Sequence, residues 1–423
     1  MKKQSMALLA ALLLAGLTAC GSPVPKESGA PDSTPAGTPE PAAQTETLPP
    51  EDTAPPAPSS DAYAQEEAVK TYWSQDQLTQ EWGPDQVVEH LFFHPVVCYP
   101  ELAFDGDNME KGIDDWMVTV SEYNKILQSV YEKGFIVVDI RDVWSLNEDG
   151  TQMVRNTLKL PAGKKPLVIS FDDVNYYPYM LENGFTHKLI LGDDGNIWSY
   201  GLDPQGNEVV SQDLDAITIL DKFIREHPDF SLNGAKGCFC LTGYEGILGY
   251  RTQTDRDVTD PVQLAAFEEN RQREIEAVKP IIARLKETGW YFGSHCWGHI
   301  NLEAKGLETI KNDTERWLDE VGSLVGETQL LFYPHGARPD GNDVTQSGPE
   351  LQYLYSKGFR YFFSVGIDSF SKVKTDLPIV VGDRLHPDGT TLRSAKCQQR
   401  YSQFYDTREV IDLEARPNYG WYE

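Results

Sequence analysis

Between Pro166 and Phe171 the chain reads Pro-Leu-Val-Ile-Ser-Phe, without a charge, and it closes on Asp172-Asp173. A run this short and apolar suits a strand buried on both faces, and such strands belong to parallel sheets covered by helices. The neighbouring segments agree with that reading. A helix is predicted over about Trp116–Lys133, with Val120, Tyr123, Ile126, Leu127 and Val130 on one stripe. It stops at Gly134 and leads into a strand over Phe135–Ile140. A long helix over about Pro261–Lys286, with a bend at Pro280, precedes a strand at Trp290–Ser294. A further helix over about Leu302–Val321 and strands at Gln329–Tyr333 and Phe359–Val365 complete an α/β alternation. Between Asn183 and Glu208, two β-like runs around Asp194-Gly195 read as an inserted hairpin.

Not all of the 423 residues belong to that fold. Lys2 and Lys3 precede an apolar run, Ala7–Ala15, that is too short to span a bilayer, and Leu17-Thr18-Ala19-Cys20 follows. Residues 1–19 read as a lipoprotein signal peptide, with Cys20 as the acylated first residue of the mature chain. The expectation is an extracytoplasmic protein, lipid-anchored to a bacterial cell membrane. Residues 20–65 are rich in Pro, Ser, Thr and Ala and hold few large apolar side chains, so they read as a disordered tether. Residues 66–423 remain for the folded domain.

The formal net charge of −28 argues against nucleic acid as a partner, because phosphate binding needs clustered Lys and Arg. A neutral or cationic glycan fits better, although an acidic surface also simply keeps a secreted protein soluble. Beyond Cys20, the five cysteines Cys98, Cys238, Cys240, Cys296 and Cys397 form no CxxC pair, and their odd number leaves at least one thiol unpaired within the monomer. Cys238 and Cys240 alternate along a strand and read as core.

Three stretches carry chemistry: Ser170-Phe171-Asp172-Asp173, Ser294-His295-Cys296-Trp297-Gly298-His299, and Phe332-Tyr333-Pro334-His335-Gly336. Alone, the Asp pair reads equally well as a cap or turn, and the His pair reads as hydrogen-bonded core. Together, paired carboxylates at a buried strand end call for a nearby cation. Two histidines four residues apart, converging on one side of a helical turn, can join a carboxylate in holding it.

In this order the three stretches resemble the polysaccharide deacetylase family, the NodB-homology group of carbohydrate esterases. The matching region runs from about Leu91 to Leu392, and Phe93-His94 resembles the family's opening strand. The resemblance implies a distorted (β/α) barrel, a divalent ion such as Zn2+, and hydrolysis of N-acetyl groups on a polysaccharide. It makes Asp172 the general base and Asp173, His295 and His299 the metal ligands. It makes the His335 backbone N–H an oxyanion donor, and His386 the proton donor to the leaving amine, although Pro387-Asp388-Gly389 also reads as a turn. Three departures stand out. Val174 occupies a common glycine position, His335 a common tyrosine position, and Phe332 the place of an arginine that steadies the base, a task open to Arg384 or Arg338. The stretch from Asn175 to Trp290 is also longer than a minimal deacetylase needs.

Two other functions fit the same residues: a deacetylase-like lipoprotein that only binds glycan, and an esterase for O-acetyl groups. Peptidoglycan is the first substrate expectation, given the anchor and tether. Tyr176, Tyr177, Tyr179 and Trp297 are aromatic surfaces available either to sugar rings or to the core.

Overall fold

The computed structural model describes residues 60–254, 258–341 and 345–422. The signal peptide, Cys20 and the tether up to residue 59 lie outside the described residues. A helix, Ser60–Lys70, begins within the segment read as tether. Its Glu66 pairs with buried Lys236 at 3.2 Å, so this helix is docked on the folded part. Among the described residues no helix is long and apolar enough to cross a membrane.

One nine-stranded sheet organises the chain. Its strands are β1 (Glu89–Phe93), β2 (Phe135–Val137), β3 (Lys165–Asp172), β4 (Cys238–Leu241), β5 (Tyr291–Ser294), β6 (Leu330–Phe332), β7 (Tyr361–Val365), β8 (Phe370–Val373) and β9 (Val380–Arg384). Around the sheet the order is β8-β9-β7-β6-β5-β4-β3-β1, with β2 pairing the start of β3. All neighbours are parallel except β8, which runs antiparallel to β9. β1 closes back on the end of β9: Phe92 N–H donates to Leu385 O at 2.9 Å, and Leu385 N–H donates to His90 O at 2.9 Å. The sheet is thereby curled into a nearly closed barrel, as expected.

The apolar run of β3 is explained by this closure. Val168 packs inside the barrel with Cys238, Cys240, Phe332 and Phe363. Leu167, Ile169 and Phe171 pack outward under the helices. Because side chains alternate along a strand, Ser170 and Asp172 share the inner face with Val168. Cys238 and Cys240 are core, as their alternation implies.

Helix α1 (Val120–Glu132) is shorter than predicted, because Thr119 caps it in a reciprocal capping box with Glu122. Residues Glu110–Trp116 form a separate helix before it. The β2 strand ends at Val137, because the Asp139 side chain accepts from Arg141 N and starts a helical turn. Helix α2 (Ala216–Glu226) precedes β4. Helix α3 (Pro261–Glu287) runs as one element with Pro280 inside it. Helix α4 (Leu307–Trp317) starts later than predicted and passes into a π-helical turn at Leu318–Gly322.

The inserted segment is a three-stranded meander and not a hairpin. Lys188–Leu191 pairs with Ile197–Leu202, which pairs with Glu208–Ser211. A second turn at Asp203–Gly206 adds the third strand: Asp203 accepts from Gln205 N and Asn207 N, and Gly206 adopts φ 80°. The Arg284 side chain donates to Gly195 O at 2.7 Å, tying the first turn to α3.

Candidate active site

Every residue singled out in the sequence for chemistry lies at or just beyond the C-terminal end of a barrel strand, the face on which barrels of this class carry their sites. Asp172 closes β3 and Asp173 follows it; His295 and His299 follow β5, His335 follows β6, and His386 follows β9.

The side chains of Asp173, His295 and His299 converge, each offering a ligand atom within 4.8 Å of the others. His299 Nε2 lies 3.7 Å from Asp173 Oδ2. No helix brings the two histidines together, contrary to the helical-turn expectation. The loop after β5 folds back through left-handed backbone at Cys296 (φ 60°) and His299 (φ 49°). Asp313 on α4 holds that bend by accepting from Trp297 N and Gly298 N, each at 2.7 Å. Asp173 (φ 59°) and His335 (φ 59°) are also left-handed. Non-glycine residues in this region are uncommon, and four of the seven among the described residues lie here.

The donor set fits a divalent metal. His295 Nδ1 sits 2.9 Å from Phe332 O, which fixes it as the N–H donor and leaves the Nε2 lone pair facing Asp173 and His299. Tyr177 O–H donates to Asp173 Oδ1 at 2.7 Å, leaving Oδ2 toward the histidines. Thr242 Oγ1, 2.6 Å from the same phenol oxygen, is then the donor to it, since Tyr177 has one proton to give. Burial lowers the pKa of both ring ligands, that of His299 to about 4, so both are neutral and able to ligate at pH 7. Burial raises the Asp173 carboxyl. A cation placed there would offset that cost.

Asp172 points into the barrel and meets Arg384, whose Nη1 and Nη2 donate to Oδ1 at 2.7 Å and Oδ2 at 2.8 Å. Burial alone would raise this carboxyl, but the guanidinium wins and holds it below the usual carboxylate range. Arg384 also donates to Ser170 Oγ and lies over the rings of Phe92 (4.0 Å) and Phe332 (4.6 Å). The arginine absent from position 332 thus arrives from β9, and Phe332 supplies ring surface beneath it. Arg338 is instead paired with Asp383. Removing Arg384 would strand a buried carboxylate, so Arg384→Ala should cost about 3–5 kcal/mol of stability. Denaturant unfolding at pH 7 measures this, and a loss below about 1 kcal/mol would show that the pair is not holding Asp172 as described.

His299 gives a second check through acid. Its folded pKa of about 4 lies below the ordinary 6.5, so the metal-free folded chain binds fewer protons than the unfolded chain between those values. Stability should therefore fall as pH drops through that window, by roughly 3 kcal/mol at most for this group. His299→Gln should narrow the pH 7 to pH 4.5 difference seen in denaturant unfolding of the metal-free protein. An unchanged difference would contradict a partly buried, neutral imidazole at His299.

His335 sits in the turn Pro334–Gly336, its ring 4.4 Å from that of His299. His386 is within reach of the site only through another residue: its Nε2 lies 2.9 Å from His94 Nδ1, and its Nδ1 lies 2.8 Å from Asp388 Oδ2. Asp388 also caps the helix Gly389–Arg393, so both readings of that segment are realised. His94 Nε2 lies 3.8 Å from Asp173 Oδ2.

Sequence reasoning gave no role to His94, Asp388 or Tyr177's hydroxyl, although the first lay in the quoted Phe93-His94. Of the four aromatics weighed for sugar stacking, Tyr176 is buried and donates to Asp215 at 2.9 Å. Tyr177 is buried too, but its ring stacks with partly exposed Tyr244 (4.9 Å) and Tyr179 (5.9 Å), and Trp297 is partly buried nearby.

No family model matches this chain, and no curated protein matches it. Solved structures similar to it include the Streptococcus pyogenes deacetylase PplD in complex with acetate, at 13% identity and a TM-score of 0.40, covering 72% of this chain and 93% of that one. A polysaccharide deacetylase from Bacillus cereus, BC0361, is similar at 11% identity and a TM-score of 0.40, covering 75% and 69%. A GH57-type branching enzyme from Pyrococcus horikoshii matches at 11% identity and a TM-score of 0.25, covering 70% and 47%. At these values the likenesses bear on neither activity nor substrate.

Proposed function

We propose that this chain is a metal-dependent hydrolase that removes N-acetyl groups from a polysaccharide. The observation that carries the reading is the pairing of two unlike neighbours: Asp173 joins His295 and His299 in a ligand cluster, while Asp172, 3.9 Å from His295 Nε2, has both its oxygens bound by Arg384. Zinc suits two imidazoles and one carboxylate with a position left open, and when bound it would polarise the acetyl carbonyl and make water acidic enough to attack.

The residues of the chain supply the rest. Asp172 accepts the proton of the attacking water, and its bidentate contact with Arg384 fixes where its lone pairs point. Because a carboxylate held this low is a modest base, its contribution belongs to position as much as to basicity. The His335 amide, in its left-handed turn, is the donor for charge that develops on the former carbonyl oxygen. The departing sugar amine needs a proton, and the chain His94–His386–Asp388 borders the same site. Tyr179 and Tyr244 offer partly exposed rings for sugar faces, whereas Trp297 lies under the Arg316 guanidinium.

The N-acetyl reading is separated from an O-acetyl esterase, or a protein that only binds glycan, by acetate release. Wild-type protein should free acetate from N-acetylated glycans, with peptidoglycan the first to test. Release from O-acetyl esters alone, or from no glycan in a panel, would overturn it.

Location is part of the proposal. The segment Leu17-Thr18-Ala19-Cys20 supports a lipid anchor on an extracytoplasmic membrane face, with the Pro- and Ser-rich stretch as tether. Cys20→Ser should shift the protein from the membrane to the soluble fraction. Equal membrane recovery of both forms would remove the anchor.

A further inference from the structure

We propose that Tyr177 is a positioning residue that makes Asp173 a one-oxygen ligand, holding back the second carboxylate oxygen so that a bound ion keeps a place for water and substrate; this rests on the metal-site reading above. A carboxylate can grip a cation through one oxygen or through both, and residue type does not decide which. Here the two oxygens of Asp173 have different surroundings. Oδ1 accepts from the Tyr177 phenol at 2.7 Å. Oδ2 faces the imidazoles, 3.7 Å from His299 Nε2 and 3.8 Å from His94 Nε2.

The phenol is fixed from several sides. Thr242, fully buried just after β4, lies 2.6 Å from the same phenol oxygen and donates to it, so the single Tyr177 proton is left for Asp173. The Thr242 carbonyl in turn accepts from the buried Asn175 side chain at 3.1 Å. The Tyr177 ring is itself buried and lies nearly parallel to that of Tyr244, 4.9 Å away at 12°. Its backbone carbonyl accepts from Met180 N at 2.8 Å, at the start of the helix Pro178–Glu182. Asp173 is fixed as well, since its backbone N–H donates to Cys240 O at 3.2 Å.

The consequence lies in the number of ligand atoms. With Oδ1 engaged by the phenol, the cluster offers one atom from each of three residues, and a four-coordinate ion would keep one position open. With Oδ1 free, both oxygens could close on the ion and fill that position. Such a site would hold metal firmly and turn over slowly.

The test reads the metal apart from the reaction. In Tyr177→Phe, which removes only the hydroxyl, kcat for acetate release should fall about 10- to 100-fold. Its zinc affinity, measured by competition with a chromogenic chelator, should equal the wild-type value or be tighter. Cobalt loaded in place of zinc reports coordination number, because its visible absorption weakens as ligands are added, and the Tyr177→Phe band should be weaker than the wild-type band. Thr242→Val removes the donor behind the phenol but leaves the phenol proton for Asp173, so it should lose less turnover and keep the wild-type cobalt band. Zinc affinity that falls in step with kcat in Tyr177→Phe would make Tyr177 a plain support for the ligand and overturn the assignment. An unchanged cobalt band or wild-type turnover in that variant would overturn it too. A wild-type chain that binds one zinc yet frees no acetate would sink the deacetylase reading, while the affinity and cobalt measurements would still decide this inference.

Discussion

The Asp172→Asn protein is expected to keep its bound metal and lose acetate release by about 10² to 10⁴-fold. Asparagine preserves the shape of the side chain and can still accept one hydrogen bond from Arg384, so the fold should survive. It cannot take up the proton of the attacking water. Arg384 would be left without its carboxylate, and a modest loss of stability should accompany the loss of turnover. Turnover and metal content are read on the same preparation, and near wild-type turnover would remove Asp172 from the mechanism.

The complementary expectation concerns the ligands. His295→Ala, His299→Ala and Asp173→Asn should each lose most bound metal after dialysis, with acetate release falling to the background of the metal-free protein. The cluster has three protein ligands, so removing one leaves too few to hold an ion tightly. His295→Ala should also free Phe332 O from its donor, with a loss of stability that His299→Ala does not share. Elemental analysis distinguishes these cases, and wild-type metal content in both histidine variants would place the ion elsewhere. Asp172 and Asp173 are thus expected to fail differently, although they are adjacent in the chain.

Much of this arrangement was legible in the sequence, and the limits have physical causes. The β3 run announced a strand buried on both faces, because barrel interior and helix layer both demand apolar side chains. The cluster of Asp173, His295 and His299 was legible from residue type and order, since strand ends gather on one face of an α/β fold. Less legible was whatever depends on closure. His94 and His386 stand 292 positions apart, and Arg384 lies 212 beyond Asp172. No local periodicity encodes such contacts, so Arg384 and Arg338 could not be told apart until β9 met β1. Backbone detail was hidden too: the bend that brings His299 to Asp173 relies on left-handed Cys296 and His299, a conformation uncommon for any residue but glycine. The third strand of the inserted meander was missed because the Asp203–Gly206 turn is carried by side-chain capping in a polar stretch.

The central claim is that acetyl removal depends on an ion held by Asp173, His295 and His299. The most direct measurement takes wild-type protein stripped with a chelator, titrates zinc back, and follows acetate release from an N-acetylated glycan. The account predicts no release above background from the stripped protein and recovery that saturates near one equivalent of zinc per chain. Stripped, metal-free protein releasing acetate as fast as the reloaded protein would contradict it.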